Sequence, residues 1–148
     1  MRIRIIPDRF SPEQEFAAFL GAYREDAGAC ATFTGLCRGG AVRWLELEHY
    51  PGFTEARIAA CANQIAGALL DLLIVHRVGR VAPGEAIVFV AALASHRAEA
   101  FAAVERLMDY LKTDAPFWKR EMTDLGSTWI EPTPLDLQRR ARHEETST

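Results

Sequence analysis

The nine-residue run AIVFVAALA at 86–94 constrains the fold more than any other segment of this chain. It carries no charge and no hydrogen-bonding side chain, so it has to be buried. At about half the ~20 residues of a membrane span, it is too short to cross a bilayer. Pro83-Gly84 precedes it and Ser95 follows it. The run therefore reads as a strand entered from a tight turn and left directly into a helix.

The rest of the chain can be laid out around that strand. Residues 2–6 read as a short strand, and Ser11-Pro12-Glu13-Gln14 opens a helix, with Ser11 as N-cap, Pro12 in the first turn and Gln14 placed to close a capping box. Phe16, Phe19, Leu20 and Tyr23 follow at helical spacing, and Gly28 marks the exit. A strand at 29–34, a Gly-rich loop at 35–41 carrying Arg38 and a strand at 42–50 come next. In that last strand Leu45, Leu47 and His49 share one face, while Trp44, Glu46, Glu48 and Tyr50 share the other. Thr54 can cap a second helix with the stripe Ile58, Cys61, Ile65, Leu69 and Leu72, and a strand at 73–78 precedes the Pro83-Gly84 turn. Ser95 caps a third helix, with Phe101, Val104, Met108 and Leu111 facing the core, and Pro116 ends it. Short extended pieces at 117–122 and 127–131 close the pattern, and the charged and polar last ten residues are expected to fray.

Strands adjacent in sequence outnumber simple strand-helix-strand alternation. The expectation is an α+β fold with a mixed or antiparallel sheet and three main helices. Its 148 residues suit a single domain, taken as 1–135 with a polar tail at 136–148. A chain 49% hydrophobic and 25% charged is globular in composition. Its net charge of −3 argues against nucleic-acid or membrane-surface partners. The apolar N-terminal run is too short for a signal peptide, so a cytoplasmic protein is expected. Cys30, Cys37 and Cys61 show no C-x-x-C spacing, and the four histidines have no ligand-like spacing. Neither a disulfide framework nor a metal site is expected.

Two stretches could carry chemistry. Ser95-His96-Arg97 sits at a helix start, where free backbone N–H groups, the positive end of the helix dipole and a guanidinium all favour an anion such as phosphate. Lys112 and Lys119 straddle Pro116, so Lys119 must return by a turn if the two are to converge. Beside Phe117 and Trp118, a lysine in a dry pocket can have its pKa lowered enough for acid–base or covalent chemistry. Taken alone, each stretch has a plainer reading that local sequence favours, a solvated His-Arg pair and two surface lysines flanking a helix stop. Cys37 beside Arg38 could have a depressed pKa but is more simply a small buried apolar residue. Glu46, Glu48 and Glu55 could pair as acid and base. His49 and His76 read as satisfied structural histidines.

Taken together, Phe33-Thr34-Gly35, Arg38, Leu47-Glu48-His49-Tyr50-Pro51-Gly52, His76-Arg77-Val78-Gly79, Pro83-Gly84-Glu85, Ser95-His96-Arg97, Asp109-Tyr110-Leu111-Lys112 and Ala115-Pro116-Phe117-Trp118-Lys119-Arg120-Glu121 stand in an order that resembles the large subunit of molybdopterin synthase. The likeness runs from about Arg2 to Glu131, and its last motif is the most specific. It implies an α/β-hammerhead fold and a homodimer at the centre of a heterotetramer. Each end would bind a small ubiquitin-like sulfur carrier whose Gly-Gly tail enters as a thiocarboxylate. Two sulfurs would pass, one carrier at a time, to cyclic pyranopterin monophosphate, giving the dithiolene of molybdopterin. The family's essential lysines match Lys112 and Lys119, and its substrate-binding residues match Arg38, His96 and Arg97. Lys119 would serve proton transfer or charge stabilisation, and Lys112 the carrier's terminal carboxylate. No metal or redox cofactor is implied, because the sulfur arrives activated.

Two departures from the family pattern stand out. The loop between Arg38 and His49 is shorter than expected and lacks polar residues after the arginine. Pro132-Thr133-Pro134 replaces a basic residue contributed across the dimer, with Arg139 or Arg140 as substitutes. Two other functions compete: a non-catalytic module that docks a ubiquitin-like tail, and a phosphate-handling enzyme with a Schiff-base lysine.

Overall fold

The computed structural model describes residues 1–21 and 24–145. Among the described residues, two four-stranded sheets and four α-helices form the α+β architecture. The first sheet takes β1 (Arg2–Ile6), β4 (Asp71–Arg77), β6 (Ala86–Ala94) and β2 (Ala29–Leu36) in that order. β1 runs parallel to β4, and the other pairings are antiparallel. The second sheet is antiparallel throughout, in the order β5 (Gly79–Val81), β3 (Val42–His49), β7 (Phe117–Thr123) and β8 (Gly126–Ile130).

The uninterrupted apolar run is explained by burial on both faces of β6. Val88, Val90, Ala92 and Ala94 pack in one core with residues of α2 (Phe53–Ile65) and α3 (Arg97–Thr113). The alternate residues Phe89, Ala91 and Leu93 pack with Phe19 of α1 (Pro12–Leu20). β4 divides the same way, with Leu72 and Ile74 in the first cluster and Leu73 and Val75 in the second. A strand covered on both sides has no polar alternation to display.

Several expectations need correction. α1 ends at Leu20 with Gly21 at its C-cap, well short of Gly28, and Tyr23 lies outside the described residues. Ser11 does cap it, accepting from the Gln14 amide at 3.2 Å. α2 stops at Ile65 and passes through a 3-10 turn at Ala66–Ala68, so Leu69 lies beyond the helix and Leu72 belongs to β4. Its N-cap is Gly52, at φ +80°, whose amide donates to the Glu55 carboxylate at 2.7 Å. Thr54 is instead a buried clamp: its hydroxyl accepts from the Tyr50 amide at 3.1 Å and donates to the Pro116 carbonyl at 3.3 Å.

α3 begins after His96 rather than Ser95, with no side-chain cap bond. Its buried stripe is Ala100, Ala103, Val104, Leu107, Tyr110 and Leu111, while Phe101 is 66% exposed. The spacing of the core face is as expected, but alanines rather than phenylalanine hold its first turns, and small residues let the helix lie close to the sheet.

Residues 139–145 of the stretch expected to fray belong to a fourth helix, α4 (Pro134–Glu145), and 146–148 lie outside the described residues. Thr133 and Asp136 form a reciprocal cap: Asp136 Oδ2 accepts from the Thr133 amide at 3.0 Å, and Thr133 Oγ1 accepts from the Asp136 amide at 3.3 Å. This is the capping-box pattern with a proline in the first turn, the same signal that marks α1. None of the helices among the described residues is long and apolar enough to cross a membrane.

Candidate active site

The register of β7 against β3 decides where Lys119 goes. Lys119 pairs with Leu47, Phe117 with His49 and Glu121 with Leu45. Directly opposed residues project from the same face, so Lys119 shares the face of Leu45 and Leu47, which are buried in a small core with Cys37 and Val81. The chain reaches that register because α3 ends at Thr113 and the Asp114 and Ala115 amides both bond back to the Tyr110 carbonyl. The Thr54 hydroxyl then holds the Pro116 carbonyl in the bend.

The result is a cleft of about 370 Å³ between the two sheets, walled by the ends of α3 and α4. Lys112, Lys119 and Arg38 all line it. Arg38 is fixed from below, since Cys37 donates its amide to the Glu85 carbonyl at 2.9 Å and accepts from the Gly84 amide at 2.8 Å. The turn at Pro83-Gly84 thus braces the short loop after β2. Cys37 itself is 3% exposed, and burial pushes its thiol up, the opposite of an activated cysteine.

The two lysines stand in different environments. Lys112 is exposed at the mouth and donates to Asp136 at 2.7 Å. Asp136 is 5% exposed, and the Lys112 ammonium and the Thr133 hydroxyl hold its carboxyl down at about 2. Lys119 is mostly buried, and its ammonium has no hydrogen-bond or ion-pair partner among the described residues. Burial first, and then the Lys112 charge, lower its pKa, with Asp136 partly opposing them. A lysine in this state releases its proton more readily than an ordinary one. Asp136 and its cap are absent from the sequence-based expectations, although Thr133-Pro134-Leu135-Asp136 carries the signal.

His76 is stacked on Phe117 with ring centroids 3.8 Å apart and planes 12° apart, near enough to Lys119 to feel its charge. Its Nδ1 is 2.8 Å from the Arg77 carbonyl, which can only accept, so Nδ1 carries the proton. Burial, with a smaller contribution from the Lys119 charge, lowers the His76 pKa to about 3, so the ring stays neutral. His49 does not fit the satisfied role expected of it, because its buried Nδ1 has no partner. The candidate acidic pair disperses: Glu46 binds Arg120 at 2.6 Å, Glu55 caps α2, and Glu48 is exposed.

The neutral His76 has a consequence for stability. The unfolded chain takes up a proton at this histidine below about pH 6.5, whereas the folded ring does not until about pH 3. The stabilisation is therefore complete above 6.5 and is lost as pH falls from there toward 3. Between pH 6.5 and 5 the expected loss is about 2 kcal/mol. Urea unfolding of the wild type and of His76→Phe at both pH values should show this slope in the wild type only. Equal slopes would mean His76 can be protonated in the folded chain.

The structure does not bring all the expected residues together. His96 and Arg97 are exposed at the start of α3, and the cleft lies at its end. A 17-residue helix is about 25 Å long at 1.5 Å per residue, so within one chain the two cannot share a pocket with the lysines. Arg140 pairs with Asp114, and Arg139 is exposed. Among the described residues, no group of three or more His, Cys, Asp or Glu side chains could hold a metal ion.

Fold and cleft together define an α+β protein whose cleft brings two lysines and an arginine within reach of an anionic acyl or phosphate group. Comparison with known proteins places that class more narrowly. Residues 5–114 match the family described as MoaE protein. The molybdopterin synthase catalytic subunit of Caulobacter vibrioides is 54% identical over 140 residues, covering 92% of this chain and 93% of the relative. The solved molybdopterin biosynthesis MoaE protein from Burkholderia ambifaria is 43% identical, with a TM-score of 0.78, over 95% of this chain and 97% of the other. A complex of subunits 1 and 2 of molybdopterin-converting factor from Helicobacter pylori is 18% identical with a TM-score of 0.76, over 86% and 89% of the two chains, and shows the shared fold alone. The chain belongs to the MoaE family, that of the molybdopterin synthase catalytic subunits of molybdenum-cofactor biosynthesis.

Proposed function

We propose that the chain is the sulfur-transferring half of a molybdopterin synthase. It accepts the thiocarboxylated Gly-Gly tail of a small ubiquitin-like carrier in the cleft and delivers two sulfurs, one carrier at a time, to cyclic pyranopterin monophosphate. The observation that carries this reading is the convergence of Lys112 and Lys119 on one cleft with Arg38 at its edge. Transfer from an acyl thiocarboxylate generates anionic species, and ammonium groups placed beside the developing charge stabilise them. Lys112 already holds a carboxylate at 2.7 Å, and an ammonium has three donors, so it suits the carrier's terminal carboxylate. Lys119, mostly buried and with a lowered pKa, suits proton transfer or charge stabilisation at the reacting carbons.

His96 and Arg97 enter this reading through a second copy of the chain. A homodimer that set the start of one α3 near the partner's cleft would add an anion site for the pterin phosphate, with a carrier at each outer end of the assembly. A Helicobacter pylori chain of the same fold was solved in a complex of subunits 1 and 2 of molybdopterin-converting factor.

Reconstitution with a thiocarboxylated carrier and the cyclic pterin tests the proposal. Molybdopterin should form at two carriers consumed per pterin. Carrier binding without molybdopterin would leave only a docking module.

A further inference from the structure

Asp136 is the buried carboxylate of a cleft whose other charged lining residues are Arg38, Lys112, Lys119, Glu121 and Glu131. Its two oxygens have separate tasks. Oδ1 accepts from Lys112 Nζ at 2.7 Å, while Oδ2 accepts from the Thr133 amide at 3.0 Å and the Thr133 hydroxyl at 2.6 Å. The reciprocal cap locks the carboxylate to the first turn of α4, and its 5% exposure leaves it little room to turn toward Lys119. A cap needs an acceptor at this position but does not need it to reach a lysine on α3.

We propose that Asp136 is a positioning residue of the cleft: it pins one hydrogen of the Lys112 ammonium at the mouth and leaves Lys119 as the cleft's unpaired amine. Its purpose in turnover rests on the sulfur-transfer reading above, whereas its geometry does not. One ammonium thus stays oriented with two donors free for an incoming carboxylate, and the other stays without a counterion at the reacting end.

The charged groups around Lys119 come from several of the elements that wall the cleft, while β3 and β6 contribute the apolar Leu45 and Ile87. Lys112 stands on α3, Asp136 on α4, Arg38 after β2, Glu121 on β7 and Glu131 after β8, and the neutral His76 on β4 is near enough to feel the Lys119 charge. Lys112 lowers the Lys119 pKa and Asp136 raises it. Removing the two partners should therefore move Lys119 in opposite directions.

The test uses the full chain without carrier or pterin. Competitive acetylation with acetic anhydride across a pH series, read by mass spectrometry, gives the protonation midpoint of Lys119. Asp136→Asn keeps the shape and the amide-accepting oxygen of the cap, and it should shift the midpoint to lower pH, with at least a threefold rise in Lys119 labelling at neutral pH. Asp136→Glu should restore most of the wild-type value, and Lys112→Gln should shift the midpoint upward. In the reconstituted reaction, the acid limb of the pH–rate profile should move with the labelling midpoint in Asp136→Asn.

An unchanged Lys119 midpoint in a folded Asp136→Asn chain would overturn the inference. So would shifts of the same sign in Asp136→Asn and Lys112→Gln, which would report general loosening of the cleft. If Asp136→Asn loses α4, carboxyl NMR of Lys112→Gln decides the matter. The Asp136 midpoint should rise from about 2 toward the ordinary carboxylate range, and an unmoved midpoint would remove the pairing. Opposite shifts in a chain that makes no molybdopterin would sink the sulfur-transfer reading and leave Asp136 in its role.

Discussion

Lys119→Ala is expected to abolish sulfur transfer, with a loss on the order of 10³-fold or more in kcat, while carrier binding changes by no more than a few-fold. The size follows from what the side chain does where it stands. A positioned acid–base group contributes about 10²–10⁴-fold, and removing one preorganised electrostatic contact to a developing anion costs a comparable factor. Lys119 is the one lysine of the cleft whose ammonium is both mostly buried and unpaired, so no neighbour takes over its charge. The fold should not suffer, because an amine opposite Leu47 on an apolar face is costly to bury. Thermal unfolding of the variant is expected to match or slightly exceed the wild type. Single-turnover assays with thiocarboxylated carrier, alongside calorimetric titration of the carrier, check both halves of the expectation. Near-normal transfer by the variant would show that the chemistry lies elsewhere. Lys119→Arg adds a finer distinction, since arginine keeps the charge but does not give up a proton near neutral pH. Activity retained in that variant would assign charge stabilisation, and activity lost with binding intact would assign proton transfer.

What could be read from sequence follows a physical line between local and non-local information. The limits of β6 are legible because a fully buried strand needs no alternation and is bounded by a turn and a helix start, all within a dozen residues. The site was legible only in pieces. Whether Lys112 and Lys119 meet depends on the pairing of Lys119 with Leu47, more than seventy residues away in the chain, and no local pattern around Pro116 states that register. Two misses have a different origin. α4 was hidden by its charge, although its cap is spelled out by Thr133 and Asp136. Phe101 falls in a helical stripe with Val104, Met108 and Leu111 on spacing, whereas the buried face runs through Ala100, Ala103 and Leu107 and leaves it outside. The separation of His96 and Arg97 from the lysines, by contrast, could be anticipated from helix length alone.

Gly28, which the sequence suggests as a helix exit, stands instead at the entry to β2 and is the site of the largest expected loss of stability. It lies just before β2, and its amide donates to the Ala94 carbonyl at 3.0 Å, extending the ladder between β2 and β6. A Cβ added there would stand 2.2 Å from the Ser95 carbonyl oxygen and 3.2 Å from its carbonyl carbon. Both are backbone atoms, so no side chain can swing aside. The glycine is required for close approach, and its backbone is not in the left-handed region. Gly28→Ala can be accommodated only by peeling the first residue of β2 from the end of β6 or by displacing the Ser95 peptide, which leads directly into His96 and Arg97. Overpacking of this kind costs about 3 kcal/mol, or a fall of roughly 6–12 °C in melting temperature for a domain of this size. Gly67 provides the control: it lies in the 3-10 turn after α2, has open space around its Cβ position and has no positive φ. Gly67→Ala should be neutral or stabilise by up to about 1 kcal/mol through the unfolded chain. Denaturant unfolding of the two variants side by side separates a steric requirement from a general intolerance of alanine. If Gly28→Ala proved as harmless as Gly67→Ala, the two strands would not approach as closely at that corner as the Ser95 contact requires.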